Sequence, residues 1–297
     1  MNTIREDVEQ RKVLVSDGAW GTFLVNKGLQ PGECPELWNL THRASVLEAA
    51  TSYVEAGADM IETNSFGGSL FKLAHYGQAD RIVEINKAAA AISREAAGPD
   101  RHVIASVGPT GKLLMMGDVT EEELYESFRI QIAALEAGGA DAVCIETMAA
   151  IDEACLAIRA AKEHTKMEVL CTFTFDSVGH DQYRTMMGVS PTEMAAAVLE
   201  AGADIIGANC GQGFKGMIGI VNELRGAAPH TPVLVHANAG LPVHTDEGDI
   251  FPETPEAMAE RAPSLIEAGA NIIGGCCGTT PDHIRAIAQA VATTLGT

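Results

Sequence analysis

Basic residues are scarce in this chain: 20 Lys and Arg stand against 40 Asp and Glu in 297 residues, a formal net charge of −20. A phosphate polyanion would be repelled by that field, which excludes nucleic acid as an expected partner. Aromatic residues make up only 5% of the chain, so any large core must be built from aliphatic side chains. No apolar run is long enough to cross a bilayer, and the charged start Met1-Asn-Thr-Ile-Arg-Glu-Asp-Val-Glu-Gln-Arg-Lys12 has no apolar centre of signal-peptide length. The expectation is a cytoplasmic protein without a membrane partner. Seven cysteines are too sparse for a disulfide scaffold at this length and stay available as thiols. The Gly-x-Gly-x-x-Gly turn of a doubly wound nucleotide-binding sheet is absent after the first apolar run, which argues against that fold. Nor does a Pro/Gly/Ser-rich linker divide the chain, so residues 1–297 read as a single domain.

What the chain does have is 46% hydrophobic residues, enough to bury a large core. Eight short runs rich in Val, Ile, Leu and Cys recur at 12–16, 59–62, 102–107, 141–146, 168–173, 204–207, 232–237 and 271–274, separated by segments of helical composition. Strands buried on both faces read as continuous apolar runs, and their alternation with helices implies a parallel sheet. Eight such units fit an α/β fold of the (β/α)8 TIM barrel type. A weak repeat supports the phasing: Glu55-Ala-Gly-Ala-Asp59, Glu136-Ala-Gly-Gly-Ala-Asp141, Glu200-Ala-Gly-Ala-Asp204 and Glu267-Ala-Gly-Ala-Asn271 each precede an even-numbered run. Glycine there supplies the left-handed turn that ends a helix.

Active sites of such barrels gather at the C-terminal ends of the strands. Two of these ends carry thiols: Asn209-Cys210-Gly211 and Gly274-Gly-Cys276-Cys277-Gly278. Strands six and eight are near neighbours around the ring, so the three sulfurs can converge on one zinc ion and leave its fourth position open, as in a catalytic site. The alternative is that they pack as small apolar residues, and the 66-residue gap between Cys210 and Cys276 matches no local zinc motif. The other ends are crowded with polar groups and glycine. Asp17 and Glu146 can accept hydrogen bonds from an ammonium group, and the backbone N–H groups at 18–22 can hold a carboxylate. Cys144, Cys155 and Cys171 fall in strands or a helix and are expected to be structural. Cys34 reads as a turn residue and a weaker substitute ligand, and His236 as a satisfied rim histidine. His180 and His244 lie in loops. The pairs Met115-Met116 and Met186-Met187 are expected to pack in the core or a lid, with an adaptable apolar contact surface for another protein or a large cofactor as the alternative. Thr120 followed by Glu121-Glu-Glu123 reads as a helix start.

Asp17-Gly-Ala-Trp-Gly-Thr22, Thr63-Asn-Ser-Phe-Gly67, Gly108-Pro-Thr-Gly111, Asn209-Cys-Gly211, Asn238-Ala-Gly240 and Gly274-Gly-Cys-Cys-Gly-Thr-Thr-Pro281 together resemble the homocysteine S-methyltransferase family. Within it they are most similar to the homocysteine-binding barrel of the cobalamin-dependent methionine synthases. The resemblance runs from about Val13 to the C-terminus. It implies zinc held by Cys210, Cys276 and Cys277, with the substrate thiol as added ligand, and homocysteine bound through Asp17 and Glu146. The wider acceptor pocket it implies comprises Gly18, Ala19, Trp20, Gly21, Thr22, Asn64, Asn209 and Asn238. The expected methyl donor is a methylcorrinoid on a separate protein, since no corrinoid or folate module is visible here. An S-methylmethionine donor, or a zinc-binding module without turnover, stays open as an alternative. Three departures bear on this chain: Trp20 replaces a smaller methionine, the segment 176–191 is longer, and Ala237 replaces a proline.

Overall fold

The computed structural model describes residues 2–179, 182–245 and 248–296. Twelve strands are present among them: β1 (Leu14–Val15), β2 (Met60–Glu62), β3 (His102–Val107), β4 (Ala142–Met148), β5 (Glu168–Phe173), β6 (Asp176–Gly179), β7 (Gln182–Arg184), β8 (Ile205–Asn209), β9 (Val233–Ala237), β10 (Val243–Thr245), β11 (Gly248–Ile250) and β12 (Ile272–Gly275). Eight form one parallel sheet in the order β1, β12, β9, β8, β5, β4, β3, β2. A bridge between Ser16 and Met60 joins the two ends. With helices between successive strands this is the (β/α)8 barrel, and each apolar run of the sequence supplies one of its strands. The hairpins β6–β7 and β10–β11 were not anticipated. They are short antiparallel ribbons on the loops after β5 and β9, and their mixed polar residues carry no core-facing period.

The repeat has a structural reason. Gly57, Gly139, Gly202 and Gly269 all end helices in the left-handed conformation, which glycine adopts without a steric penalty. The residue that closes each repeat then reaches sideways to the preceding strand. Asp59 accepts from the Val15 amide, Asp141 from Val103, Asp204 from Val169 and Asn271 from Val233. A cation meets each from the outside: Arg11, Arg94, Lys162 and Arg225, in the same order. Four brackets therefore tie the bottom of the barrel in pairs of strands.

Inside the barrel, Leu14, Met60, Ile104, Cys144, Leu170, Ile205, Leu234 and Ile272, one from each strand, form a fully buried apolar layer. Helix α1 (Ile4–Arg11) closes it from below. Thr3 and Glu6 cap that helix reciprocally, Ile4 and Val8 insert into the layer, and the Glu168 carboxylate accepts from the Ile4 amide. Charged residues on the other faces of α1 meet solvent, which is why the segment reads as merely polar in sequence. Cys144 belongs to this layer, Cys171 lies in the core between sheet and helices, and Cys155 in the helix Ile151–His164 points at the Ala197 carbonyl. All three occupy the structural positions expected of them.

Candidate metal and acceptor site

Strand β9 lies between β8 and β12, and its C-terminal end holds both thiol-bearing segments. The Cys210 amide donates to the His236 carbonyl at 3.0 Å, the Cys276 amide to the Ala237 carbonyl at 2.6 Å, and the Ala239 amide to the Cys277 carbonyl at 3.0 Å. Cys210 has a φ of 58°, in the left-handed region that non-glycine residues enter chiefly at functional turns. The result is convergence across 66 residues. Cys210 Sγ stands 3.1 Å from Cys276 Sγ and 3.6 Å from Cys277 Sγ, and one sulfur from each of the three lies within 4.8 Å of the others. Thiolates placed tetrahedrally at about 2.3 Å from zinc stand about 3.8 Å apart, so the donor set fits that ion with one position free. Packing alone does not account for the cluster, because Cys277 is exposed. Hydrogen bonds from the Cys210 and Cys276 thiols pull the Cys277 thiol well below its ordinary pKa.

The two glycines before the cysteines are demanded by space. A Cβ on Gly274 would sit 2.8 Å from the Asp17 carbonyl oxygen and 2.9 Å from His236 Cδ2, and one on Gly275 only 2.3 Å from Thr279 Oγ1. That hydroxyl donates to the Cys276 carbonyl at 2.7 Å and accepts from the Ala19 amide at 3.1 Å. Thr279 thus couples the thiol turn to the first rim turn.

Beside the sulfurs lies a cavity of about 280 Å³, the scale of an amino acid rather than a large cofactor. Gly18, Ala19, Trp20, Gly21, Thr22, Asn64 and Glu146 line it together with Cys210, Cys276 and Cys277. Asp17 is fully buried behind this lining: its Oδ2 accepts from the Trp20 indole at 2.9 Å and from the Glu62 amide at 2.8 Å. Asn209 is also withdrawn from the wall and works as a brace. Its Oδ1 accepts from the Thr147 amide and the Thr172 hydroxyl, and its Nδ2 donates to Thr147 Oγ1 at 2.7 Å and approaches Glu146 Oε2 at 3.5 Å. Asn64 faces the cavity, yet its amide is spent on the Pro35 carbonyl and on Asn39. Asn238 is buried outside the lining, with Oδ1 unpartnered.

Several wall residues were not singled out from sequence: Glu62, Ser106, Thr147 and Glu36. The Ser106 hydroxyl donates to Glu146 Oε1. Burial pushes the carboxyls of Asp17 and Glu146 up to about 7, against the opposing hydrogen bonds from Trp20 and Ser106 respectively. Glu62 is raised well above the ordinary range by burial and by the neighbouring Glu146 and Asp17. His236, expected as a satisfied rim histidine, is buried in the wall with Nε2 unpartnered, and burial lowers its pKa to about 4. No Lys or Arg is among the lining residues.

Outside the cavity, Cys34 donates toward Glu36 at 3.4 Å within a small apolar cluster, away from the sulfurs. The methionine pairs are not packed in a core: Met115, Met116 and Met186 are 73%, 71% and 84% exposed, because they sit on loops beyond the strand ends. Thr120 and Glu123 form the expected reciprocal cap. His180 lies outside the described residues, and of His244 only the backbone is described. Among the described residues no helix is long and apolar enough to cross a membrane.

Residues 14–291 match the family model for homocysteine S-methyltransferase. Methionine synthase of Mycobacterium leprae (strain TN) is 36% identical over 303 residues, covering 95% of this chain and 24% of that protein. Methionine synthase of Mycobacterium tuberculosis (strain ATCC 25618 / H37Rv) is 36% identical over 307 residues, covering 96% and 25%. The chain therefore spans about a quarter of the length of these curated relatives. Among solved structures, the metallated form of the homocysteine methyltransferase MmuM from Escherichia coli superposes with a TM-score of 0.79 at 21% identity, covering 97% of this chain and 99% of that one, a likeness of fold. With the family match running over nearly the whole barrel and the rim motifs in place, the chain belongs to the homocysteine S-methyltransferase family.

Proposed function

We propose that this chain methylates the sulfur of homocysteine, giving methionine, at a zinc ion held by Cys210, Cys276 and Cys277. The observation that carries this reading is three converging thiols on the wall of a small cavity that is rich in carboxyls and free of Lys and Arg. When bound, zinc supplies the charge that keeps an acceptor sulfur as thiolate at neutral pH, where a free thiol of pKa roughly 8.5 is mostly protonated. The protein positions the rest of the acceptor. Glu146 receives the ammonium group from the wall, fixed by Ser106 and the Asn209 brace, and Asp17 adds negative charge from behind. The backbone N–H groups of the turn at 20–22 are left for the carboxylate, since the Ala19 amide is taken by Thr279.

The donor in this reading is a methylcorrinoid on a separate protein. A bond forms from the acceptor sulfur to the methyl carbon as the carbon–cobalt bond breaks, and its electron pair stays on cobalt as cobalt(I). One observation supports a bulky donor of this kind: exposed Met115, Met116 and Met186 offer an adaptable apolar surface on the loops beyond the strand ends.

The test is zinc content and methyl transfer of the purified chain and of Cys210→Ser, Cys276→Ser and Cys277→Ser, with a methylated corrinoid protein and S-methylmethionine as rival donors. One zinc per chain, lost with activity in each variant, is expected. Full zinc and activity in Cys276→Ser would sink the reading. Turnover with S-methylmethionine alone replaces the donor, and zinc bound without any turnover or any change in zinc–sulfur distances on adding homocysteine replaces catalysis by a binding role.

A further inference from the structure

Glu62 ends β2 with its side chain buried in the cavity wall, yet its Oε1 has no hydrogen-bond partner. That oxygen is 3.5 Å from His236 Nδ1 without making a hydrogen bond to it, and a ligand atom from each of Glu62, Glu146 and His236 lies within 4.8 Å of the other two. Buried polar atoms are normally satisfied, so an acceptor left open on a cavity wall marks the place of a donor that enters from outside. His236 does not fill the role, for its Nδ1 makes no hydrogen bond to that oxygen, and its own Nε2 is open as well. The charge argument agrees. Asp17, Glu62 and Glu146 crowd together, and the lining has no Lys or Arg, so whatever enters must bring both positive charge and N–H donors. An ammonium group does both, with three N–H donors that one carboxylate cannot all accept.

We propose that Glu62 is a direct substrate contact, a second carboxyl beside Glu146 that accepts a hydrogen bond from the ammonium group of the acceptor amino acid. The proposal rests on the amino-acid reading of the cavity and adds a residue to it. His236 is the buffer between Glu62 and the thiol segment: its ring lies against Glu62 while its main-chain carbonyl holds the Cys210 amide.

The test is calorimetric binding of homocysteine and of 4-sulfanylbutanoate, which is homocysteine without its amino group, to the zinc-loaded protein and to Glu62→Gln, Glu62→Asp and Glu146→Gln. Glu62→Gln is expected to weaken homocysteine by about 10- to 150-fold, the range for loss of one charge-assisted hydrogen bond. It should leave 4-sulfanylbutanoate within about twofold and the zinc content unchanged. Glu62→Asp keeps the charge but withdraws it, so an intermediate loss is expected, and this variant carries the test if Glu62→Gln does not fold. Homocysteine binding unchanged in both Glu62 variants but weakened in Glu146→Gln overturns the role of Glu62 and leaves the amino-acid cavity standing. No effect in any of the three removes that cavity reading itself. Equal losses for both ligands make Glu62 structural, and a second equivalent of metal that Glu62→Gln releases replaces the ammonium group with a cation on Glu62, Glu146 and His236.

Discussion

Replacing Gly274 by alanine tests whether the thiol cluster depends on the close approach of three strands. The added methyl carbon would meet the Asp17 carbonyl oxygen at 2.8 Å, Ser16 Cβ at 2.8 Å and His236 Cδ2 at 2.9 Å, all inside ordinary contact distance. Two of these atoms belong to or adjoin the main chain of the first rim segment, and the third is on a ring that is itself buried, so no flexible end can swing aside. β12 must therefore shift away from β1 or β9, and overpacking of this kind costs about 1–3 kcal/mol. The upper part of that range applies here, which corresponds to a fall in melting temperature of about 3–5 °C for a chain of this size. Cys276 lies two residues on, and its amide bond to Ala237 is in the path of the shift, so zinc occupancy should fall as well. Gly226, in the helix Phe214–Ala227 with nothing near its virtual Cβ, is the control: alanine there should stabilise by about 0.5–1 kcal/mol. Scanning calorimetry and metal analysis on both variants decide the matter. A Gly274→Ala protein that melts with the parent and holds full zinc would refute the steric account of the motif.

Trp20→Phe removes the indole donor to Asp17 Oδ2 and should raise the KM for homocysteine about tenfold through a misplaced carboxylate with zinc content unchanged; an unaltered KM would show that Trp20 serves only as wall. Stripping the metal leaves Cys210 and Cys276 sulfurs 3.1 Å apart, so diamide should take two electrons and two protons from them, lowering the titratable thiols from seven by two and blocking zinc reloading until reduction. All seven thiols surviving that treatment would show that the sulfurs do not meet. At the barrel floor, hydrogen bonds from Asn2 and His102 outweigh burial and hold Asp7 below the ordinary carboxyl range. Its folded pKa is depressed, so its contribution is present above the unfolded value of about 3.9 and lost as pH falls through the folded one. The melting difference between the parent and Asp7→Asn should accordingly be visible at pH 6 and shrink as pH falls below the unfolded value of about 3.9 and through the folded one, and a difference that persists undiminished in acid would assign it to packing.

The barrel was legible because its strands are buried on both faces. Each apolar run had to be a strand, and the glycine of each repeat had to end the helix before it. The rim hairpins were not legible, since they bury only Tyr183 among their described side chains and so leave no hydrophobic period. Helix α1 was hidden for a related reason: a plug needs only Ile4 and Val8, one apolar residue per turn. The thiols stood out by their chemistry. Met115, Met116 and Met186 show the opposite case, for an apolar residue type does not reveal whether a loop folds back or points outward.

Glu62 escaped notice and His236 was read as a satisfied rim histidine, although the information to place both is periodic and lies within the strands. Side chains two apart on a strand share a face. The apolar layer inside the barrel consists of Leu14, Met60, Ile104, Cys144, Leu170, Ile205, Leu234 and Ile272. Two residues further along, the same inward face presents Ser16, Glu62, Ser106, Glu146, Thr172, Gly207, His236 and Gly274. The contacts agree with that layer: Ser106 meets Glu146, Glu62 meets His236, and the space above Gly274 is bounded by Ser16 and His236. Six of the eight are polar and two are glycine, in a position where a packed barrel calls for branched aliphatics. One ring of the barrel is thus given over to polar groups and glycine, and four of its members, Glu62, Ser106, Glu146 and His236, line the cavity; Glu146, chosen from sequence for its carboxylate, is one of them. Reading the ring as well as the strand ends would have placed Glu62 and His236 beside Glu146 on the cavity wall, whereas Asp17, one residue past its inward position, lies outside the lining. On the proposed amino-acid reading, the three carboxyls of Asp17, Glu62 and Glu146 are buried together because the ammonium group of the acceptor, rather than a side chain, completes the charge.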